Sequence, residues 1–444
     1  MSATTYQQTI DYLYQRLPMF TRIGAAAIKK DLHNALALME ALGNPHLRFK
    51  SIHVAGTNGK GSTSHMLAAI MHSAGYKTGL YTSPHLYDFR ERIKVSGSGK
   101  LELVTCDFVV EFTQNMKPLI EQIEPSFFEV TVAMAFEWFA RQRVDVAIIE
   151  TGLGGRLDST NIISPVLSII TNIGFDHTQL LGNTLGDIAF EKAGIIKNNT
   201  PVIIGESLPE TTGVFNQKAK AENAKVTWAE NARQTQLTDW QMEYITVKSR
   251  TLPYGDNQTY TCDLPGGYQQ KNLNTVLTAT DTLQNSGWTL PAEAIVKGLA
   301  NTAKLTGLMG RWQVIGKQPY IVLDVAHNAP GIQQLLTQIG YFLANGTVQK
   351  AHLIIGMVKD KDIAAVLQLL PPHFYYYFTQ AQLPRALPAI DLQSLANAAG
   401  LSGDAFATPA AALQAAKQTA TPNDLIVVCG SVFVVAEIAQ PQLM

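Results

Sequence analysis

One run of seven residues, Gly56-Thr57-Asn58-Gly59-Lys60-Gly61-Ser62, has the chemistry to bind a phosphate. A phosphate needs several backbone N–H donors converging on it, and glycine lets the backbone approach closely. The start of a helix adds a favourable dipole, and a lysine adds a point charge. Ser62 or Thr63 could reach a Mg²⁺ ion bound to the phosphates. The spacing departs from the strict G-x-x-x-x-G-K-[ST] loop: Gly56 and Gly59 are too close, and Gly61 separates Lys60 from Ser62. The plain alternative is a glycine-rich turn with no ligand. Lysine, hydroxyl and a strand-to-helix setting together argue against it.

The elements that must position this loop are legible around it. Ser51–Ala55 is short and β-prone, and Ser62–Ala74 follows as a helix. Further apolar runs at Thr78–Thr82, Val144–Glu150, Val166–Thr171 and Pro201–Gly205 read as buried parallel strands, with helical stretches between them at Asp107–Glu121 and Val130–Arg141. Residues 27–42 read as a helix stopped by Gly43-Asn44-Pro45. Residues 226–264 alternate and carry turn residues, which predicts a small antiparallel insertion. A second alternating series starts near Tyr320, with strands at Tyr320–Val325, His352–Gly356, Phe374–Phe378 and Leu425–Val428. The expected architecture is α/β in two domains. Residues 1–306 form an N-terminal P-loop ATPase domain with a mostly parallel sheet and the small antiparallel insertion. Residues 307–444 form a C-terminal Rossmann-like α/β domain.

Composition narrows the class. With 444 residues, 46% hydrophobic and 16% charged, the chain can bury more than one core. A formal net charge of −1 gives no reason to expect a nucleic-acid or membrane partner. The three cysteines, Cys106, Cys262 and Cys429, are far apart, so neither a disulfide framework nor a zinc site is expected and a reducing compartment fits. The start, MSATTYQQTIDYLYQRL, has no basic segment followed by an apolar run, and no run has membrane-spanning length. The expectation is a cytoplasmic protein.

Several other residues could do chemistry. Glu150 ends an apolar strand, at the edge where α/β sheets place a ligand crevice. His177 by itself reads as a substrate contact or a satisfied loop histidine, and Lys192 as a solvated helix lysine. Asn272 opens a helix, where capping is the plain role. Arg311 lies at the domain boundary, where an arginine can reach phosphate only on closure. Arg22, Lys29, Lys30, Arg90, Arg92 and Lys94 read as a solvated charged face, or as contacts for an anionic substrate tail.

Taken together, the motifs resemble the folylpolyglutamate synthase and dihydrofolate synthase family of the Mur ligase superfamily. Val54–Ser62 looks like its nucleotide loop in the altered register. Tyr81-Thr82-Ser83-Pro84-His85-Leu86 with Arg90-Glu91-Arg92-Ile93 looks like its substrate-side loop. Glu150–Asn161, Asp176-His177, Glu191-Lys192-Ala193-Gly194-Ile195, Tyr268–Asn272, Gly310-Arg311 and Asp324–Asn328 follow in the family's order. The resemblance implies ATP held by Gly56, Thr57, Asn58, Gly59, Lys60, Gly61, Ser62, Asn272, Arg311 and Asp324. It assigns Mg²⁺ to Ser83, Glu150 and His177, although Mg²⁺ ordinarily prefers oxygen to imidazole, and implies a second Mg²⁺ that a carbamate on Lys192 helps to fix. It makes Lys60, Lys192 and His327 catalytic, with Lys192 carbamylated and L-glutamate near His327 and Asn328.

By the same resemblance the substrates are ATP, L-glutamate and a reduced folate, joined through an acyl phosphate in a monomeric enzyme. Pterin recognition is expected in residues 20–30 and in Phe127-Phe128-Glu129, and acceptance of dihydropteroate stays open. A cell-wall Mur ligase would need an extra N-terminal domain, and only about fifty residues precede the loop. A nucleotide switch is disfavoured because no Asn-Lys-x-Asp motif occurs.

Overall fold

β1 (Lys50–Ala55) is buried at every position after its first, as expected of a central strand covered on both faces. It belongs to an eight-stranded sheet with β2 (Thr78–Tyr81), β3 (Ile93–Ser96), β4 (Leu101–Leu103), β5 (Val146–Glu150), β6 (Leu167–Ile170), β7 (Val202–Ile204) and β8 (Val226–Trp228). The computed structural model describes residues 3–19 and 31–439. The sheet order is β4-β3-β2-β5-β1-β6-β7-β8. β1 pairs in parallel with β5 on one side and β6 on the other. The order therefore reverses about β1, which puts a crevice at its carboxyl end, where the glycine loop begins.

Apolar side chains explain why these segments form layers. On one face Ile149, Phe136, Phe139, Val109 and Phe112 share a core with the helices Cys106–Ile123 and Phe127–Gln142. On the other, Ala55, Ile170, Ile188, Ile204 and Phe215 pack with the helices Leu185–Ala193 and Pro209–Ala221. Thr105 and Ser126 cap the first two helices with side-chain oxygens that accept from Phe108 and Glu129 N–H groups.

The structure departs from the sequence reading at two places in this sheet. The β3–β4 hairpin at the sheet edge was not foreseen and pairs antiparallel to β2. Val226–Trp228, expected in the antiparallel insertion, instead pairs in parallel with β7. The helix Pro209–Ala221 returns the chain to the same sheet, so these residues complete a β-helix-β crossover. The insertion proper is a three-stranded sheet, β9 (Arg233–Trp240), β10 (Ile245–Thr251) and β11 (Gln258–Cys262), in the order β11-β10-β9.

The chain divides into two compact units. The first takes the described residues up to Asp239, then Thr246–Asp263 and Gln269–Leu308; the second takes Trp240–Ile245, Leu264–Tyr268 and the described residues from Met309 onward. A single cut near residue 306 accounts only for the last of these crossings. The hairpin tip joins the second unit because Trp240 stacks on Tyr341, with centroids 4.6 Å apart, and donates its indole N–H to Pro265 O at 2.9 Å.

The second unit holds a six-stranded sheet of β12 (Gln313–Lys317), β13 (Tyr320–Leu323), β14 (Ala351–Ile355), β15 (Tyr375–Thr379), β16 (Gly403–Phe406) and β17 (Leu425–Cys429). Its order is β12-β13-β17-β14-β15-β16, parallel except for β12. The Rossmann-like expectation holds, with an antiparallel edge strand added ahead of Tyr320. No helix among the described residues is long and apolar enough to cross a membrane.

Candidate active site

The glycine loop leaves β1 and turns directly into the helix Lys60–Ser73. Gly59 precedes the first helical residue with φ +84, and Gly56 has φ +150. Both values favour glycine. A Cβ at Gly56 would fall 1.9 Å from Thr171 Oγ1, and one at Gly59 would fall 2.3 Å from Asn272 Oδ1. Asn272, expected beside the nucleotide, therefore lies against the loop. It is the fourth residue of the helix Gln269–Asn285 rather than its cap, and its Nδ2 donates to Gln269 Oε1 at 2.7 Å. Gln269 in turn donates to Ser62 Oγ at 3.1 Å. Gly56→Ala is expected to weaken binding of an ATP analogue by about tenfold or more, through strain at positive φ and displacement of Thr171. Isothermal titration on the folded variant measures it.

Two lysines meet on this loop. Lys60 Nζ donates to the carbonyl oxygens of Gly56 at 2.9 Å and Thr57 at 3.1 Å. Lys192, on the helix Leu185–Ala193, donates to the same Gly56 oxygen at 2.8 Å. The solvated-lysine reading of Lys192 is overturned, since only 4% of the residue is exposed. Its pKa is pushed down to about 7, first by burial and then by the positive charge of Lys60. Composition hid this, because the helix buries the face carrying Ile188, Ala189, Lys192 and Ala193.

Glu150 ends β5 and is buried, and its Oε2 accepts the Ser83 backbone N–H at 3.2 Å. Two of the three expected metal ligands are thus adjacent. Their oxygens suit a hard cation, which commonly keeps waters and substrate phosphates as its remaining ligands. Among the described residues no group of three or more His, Cys, Asp or Glu side chains is placed to hold a metal. His177 sits on the loop after β6 with φ +50, its backbone N–H donating to Asp176 Oδ1 at 2.9 Å.

The segment after Glu150 folds around a buried carboxylate. Asp158 Oδ2 accepts the N–H groups of Gly152 and Leu153 at 2.8 and 2.9 Å, and its Oδ1 accepts from Thr160 N at 3.0 Å and Thr160 Oγ1 at 2.5 Å. With the Thr160 hydroxyl committed to Asp158, His53 Nε2 donates to Thr160 Oγ1 across 2.8 Å. Arg156 pairs with Glu191, tying this segment to the helix that carries Lys192. Arg156, Asp158, Thr160 and Glu191 lie in blocks that the sequence marked only by resemblance, without these bonds. Nothing marks His53 locally, because it meets Thr160 only in the fold.

The remaining candidates lie in the second unit. Asp324 follows β13 and is buried; it accepts Trp312 N and Ala326 N, each at 2.9 Å, and burial raises its pKa. Arg311 Nη1 donates to Gly310 O at 3.2 Å. His327 Nδ1 lies 2.9 Å from Val325 O, and Asn328 caps the helix Ala329–Ala344 by accepting from Gly331 N.

The basic residues separate in the structure. Arg92 and Lys94 are buried rather than a solvated face. Arg92 Nε donates to His85 Nδ1 at 2.8 Å, and Lys94 Nζ donates to Thr306 O at 2.7 Å. Arg90 is paired with Asp88. Arg22, Lys29 and Lys30, with the whole 20–30 segment expected to recognise pterin, lie outside the described residues.

A parallel-sheet unit with a lysine on its glycine loop, followed by a Rossmann-like unit, is the arrangement expected of an ATP-dependent ligase of the Mur type. Residues 54–280 match the Mur ligase middle domain, and residues 310–432 match the Mur ligase, glutamate ligase domain. The folylpolyglutamate synthase of Lacticaseibacillus casei is 31% identical, with 99% of each chain covered. A probable bifunctional folylpolyglutamate synthase/dihydropteroate synthase of Haloferax volcanii is 32% identical over 97% of this chain, which spans 50% of that protein. A crystal structure of a bifunctional folylpolyglutamate synthase/dihydrofolate synthase with Mn, AMPPNP and L-glutamate bound superposes with a TM-score of 0.81 at 29% identity, covering 99% of this chain and 98% of the other. The chain belongs to the folylpolyglutamate synthase/dihydrofolate synthase family of Mur ligases.

Proposed function

We propose that the protein is an ATP-dependent ligase that joins L-glutamate to the γ-carboxylate of a reduced folate. The observation that carries this reading is the convergence of Lys60 and Lys192 on the glycine loop beside Glu150's sheet edge, in a chain related along its length to enzymes of that name.

The chemistry follows from the poor reactivity of a carboxylate toward amines. Transfer of the ATP γ-phosphoryl to the carboxylate oxygen makes an acyl phosphate and ADP. The amine of glutamate then attacks the acyl carbon, forming the amide C–N bond; the amine loses a proton and inorganic phosphate departs with its oxygen. Lys60 neutralises charge on the transferring phosphoryl, exchanging its loop carbonyls for phosphate oxygens. Helix N–H groups after Gly59 hold the phosphates, and Asn272 borders them. A divalent cation, when bound, offsets phosphate charge, and Glu150, Ser83 and His177 are the residues that would hold it. Arg311 reaches phosphate, Asp324 the ribose, and His327 with Asn328 the incoming glutamate. Exclusion of water protects the acyl phosphate.

Lys192 is carbamylated in the working enzyme. A pKa near 7 leaves much of its amine unprotonated at neutral pH. That nitrogen attacks CO₂, forming a C–N bond and releasing one proton, and the resulting carbamate oxygens would help to hold a second cation. The enzyme acts as a cytoplasmic monomer on small molecules, without nucleic-acid or membrane partners.

The deciding experiment is ATP-dependent incorporation of labelled glutamate, with tetrahydrofolate and dihydropteroate compared side by side. Product with tetrahydrofolate is expected. Product with dihydropteroate as well adds dihydrofolate synthase activity, and no product with either refutes the reading.

A further inference from the structure

Two backbone N–H groups of the glycine loop are held by one residue outside every motif above. Thr57 N donates to the Asn172 carbonyl oxygen at 3.0 Å, and Asn58 N donates to Asn172 Oδ1 at 2.8 Å. Asn172 lies two residues past the end of β6. An N–H can meet only the oxygen of a side-chain amide, so the NH₂ group must face away from the loop. It donates to Glu206 Oε1 at 3.2 Å. Glu206 lies just past β7, and its second oxygen accepts from Lys271 Nζ at 2.5 Å. Lys271 stands on the helix Gln269–Asn285, one residue before Asn272, whose Oδ1 lies against Gly59.

Three hydrogen bonds and one packing contact therefore close a circuit. It runs from Asn58 through Asn172, Glu206 and Lys271 to the helix, and returns to the loop through Asn272. We propose that Asn172 and Glu206 are positioning residues for ATP, fixing the glycine loop against the helix that carries Asn272. Neither touches nucleotide in this account. They act by holding Thr57 and Asn58 so that the following N–H groups keep one orientation toward phosphate. The inference rests on the nucleotide-binding reading of the loop and adds two supports to it.

The polarity of the circuit gives a test. Asn172→Asp alone removes the donor to Glu206 and sets two carboxylates against each other. Glu206→Gln alone removes one of the two acceptors that the Asn172 amide and the Lys271 ammonium require. Combined, the substitutions reverse the order: the introduced carboxylate accepts both Asn58 N–H and the introduced amide, whose oxygen accepts from Lys271. Net charge is conserved.

Isothermal titration with β,γ-methylene-ATP and Mg²⁺ reads the outcome directly, with thermal unfolding recorded for each variant. The wild type must bind the analogue; if it does not, the nucleotide reading itself fails. Each single variant is expected to bind about tenfold more weakly, and the double variant within about threefold of wild type. Single variants that bind like the wild type overturn the proposal, whether or not their melting temperature falls. So does a double variant whose loss equals the two single losses combined.

Discussion

Lys60→Ala is expected to lower kcat for ATP-dependent glutamate addition by about 10²–10³-fold, the usual consequence of removing a preorganised charge from a developing anion. The lysine is the first residue of its helix, and its ammonium already sits on the loop, bonded to Gly56 and Thr57 carbonyl oxygens. Little rearrangement separates that position from a phosphate bound over the same loop. Fold stability is expected to change little, because the lost bonds are to neighbours within one turn, and such contacts are worth about 1 kcal/mol net. A second effect follows from geometry. Lys60 is one of the charges that depress the Lys192 pKa, so its removal lets that pKa rise. Steady-state kinetics at saturating ATP, with a melting curve as control, check the result. Activity within threefold of wild type would show that the loop lysine does not serve phosphoryl transfer.

Lys192→Met should abolish most activity and at the same time stabilise the fold at pH 6. The side chain is enclosed, and its folded pKa of about 7 lies well below the ~10.4 of a free lysine. Between those values the unfolded chain holds a proton that the folded chain has released, so stability rises with pH through that window. Below pH 7 the folded protein carries the buried charge and its full cost. Methionine has similar length and no charge, and is therefore expected to raise stability at pH 6 by ~1–4 kcal/mol, with the gain shrinking toward pH 10. Scanning calorimetry at pH 6 and pH 9 in CO₂-free buffer, paired with the glutamate assay, measures both effects. A variant that keeps full activity removes Lys192 from the mechanism. One that is less stable than wild type at pH 6 removes the buried-charge account. Gains in stability on losing a functional charge are a familiar trade-off.

How far the sequence could be read depended on whether a signal was local. The glycine loop, the apolar strand before it and the helix after it are consecutive, so their pattern carries the proposed phosphate site directly. The helix begins at Lys60, two residues earlier than the expected Ser62, because Gly59 takes a positive φ and serves as its cap. Val226–Trp228 was assigned to the wrong sheet because three residues carry too little periodicity to separate a parallel edge from a hairpin. The β3–β4 hairpin was passed over for the same reason, its strands being four and three residues long. Lys192 sits in an apolar-flanked block, Ile188–Ile196, but a lone helix lysine reads as solvated until the fold shows which face is buried.

What the sequence by itself determined is the class of architecture, the glycine loop between strand and helix, and the order of motifs that places the chain among folate-linked Mur ligases. Each is written in neighbouring residues, or in blocks whose order survives without knowing the fold. Tertiary structure alone decided which side chains share an atom. Gly56 O collects Lys60 and, from 136 positions away, Lys192. Asn172 reaches the loop from 114 positions away, and His53 reaches Thr160 across 107. Such pairs depend on strand order, and strand order depends on which apolar faces bury one another. The altered spacing of Gly56–Ser62 is read from neighbouring residues, but the pKa of Lys192 beside it is set by burial and by a charge that only the folded chain brings near.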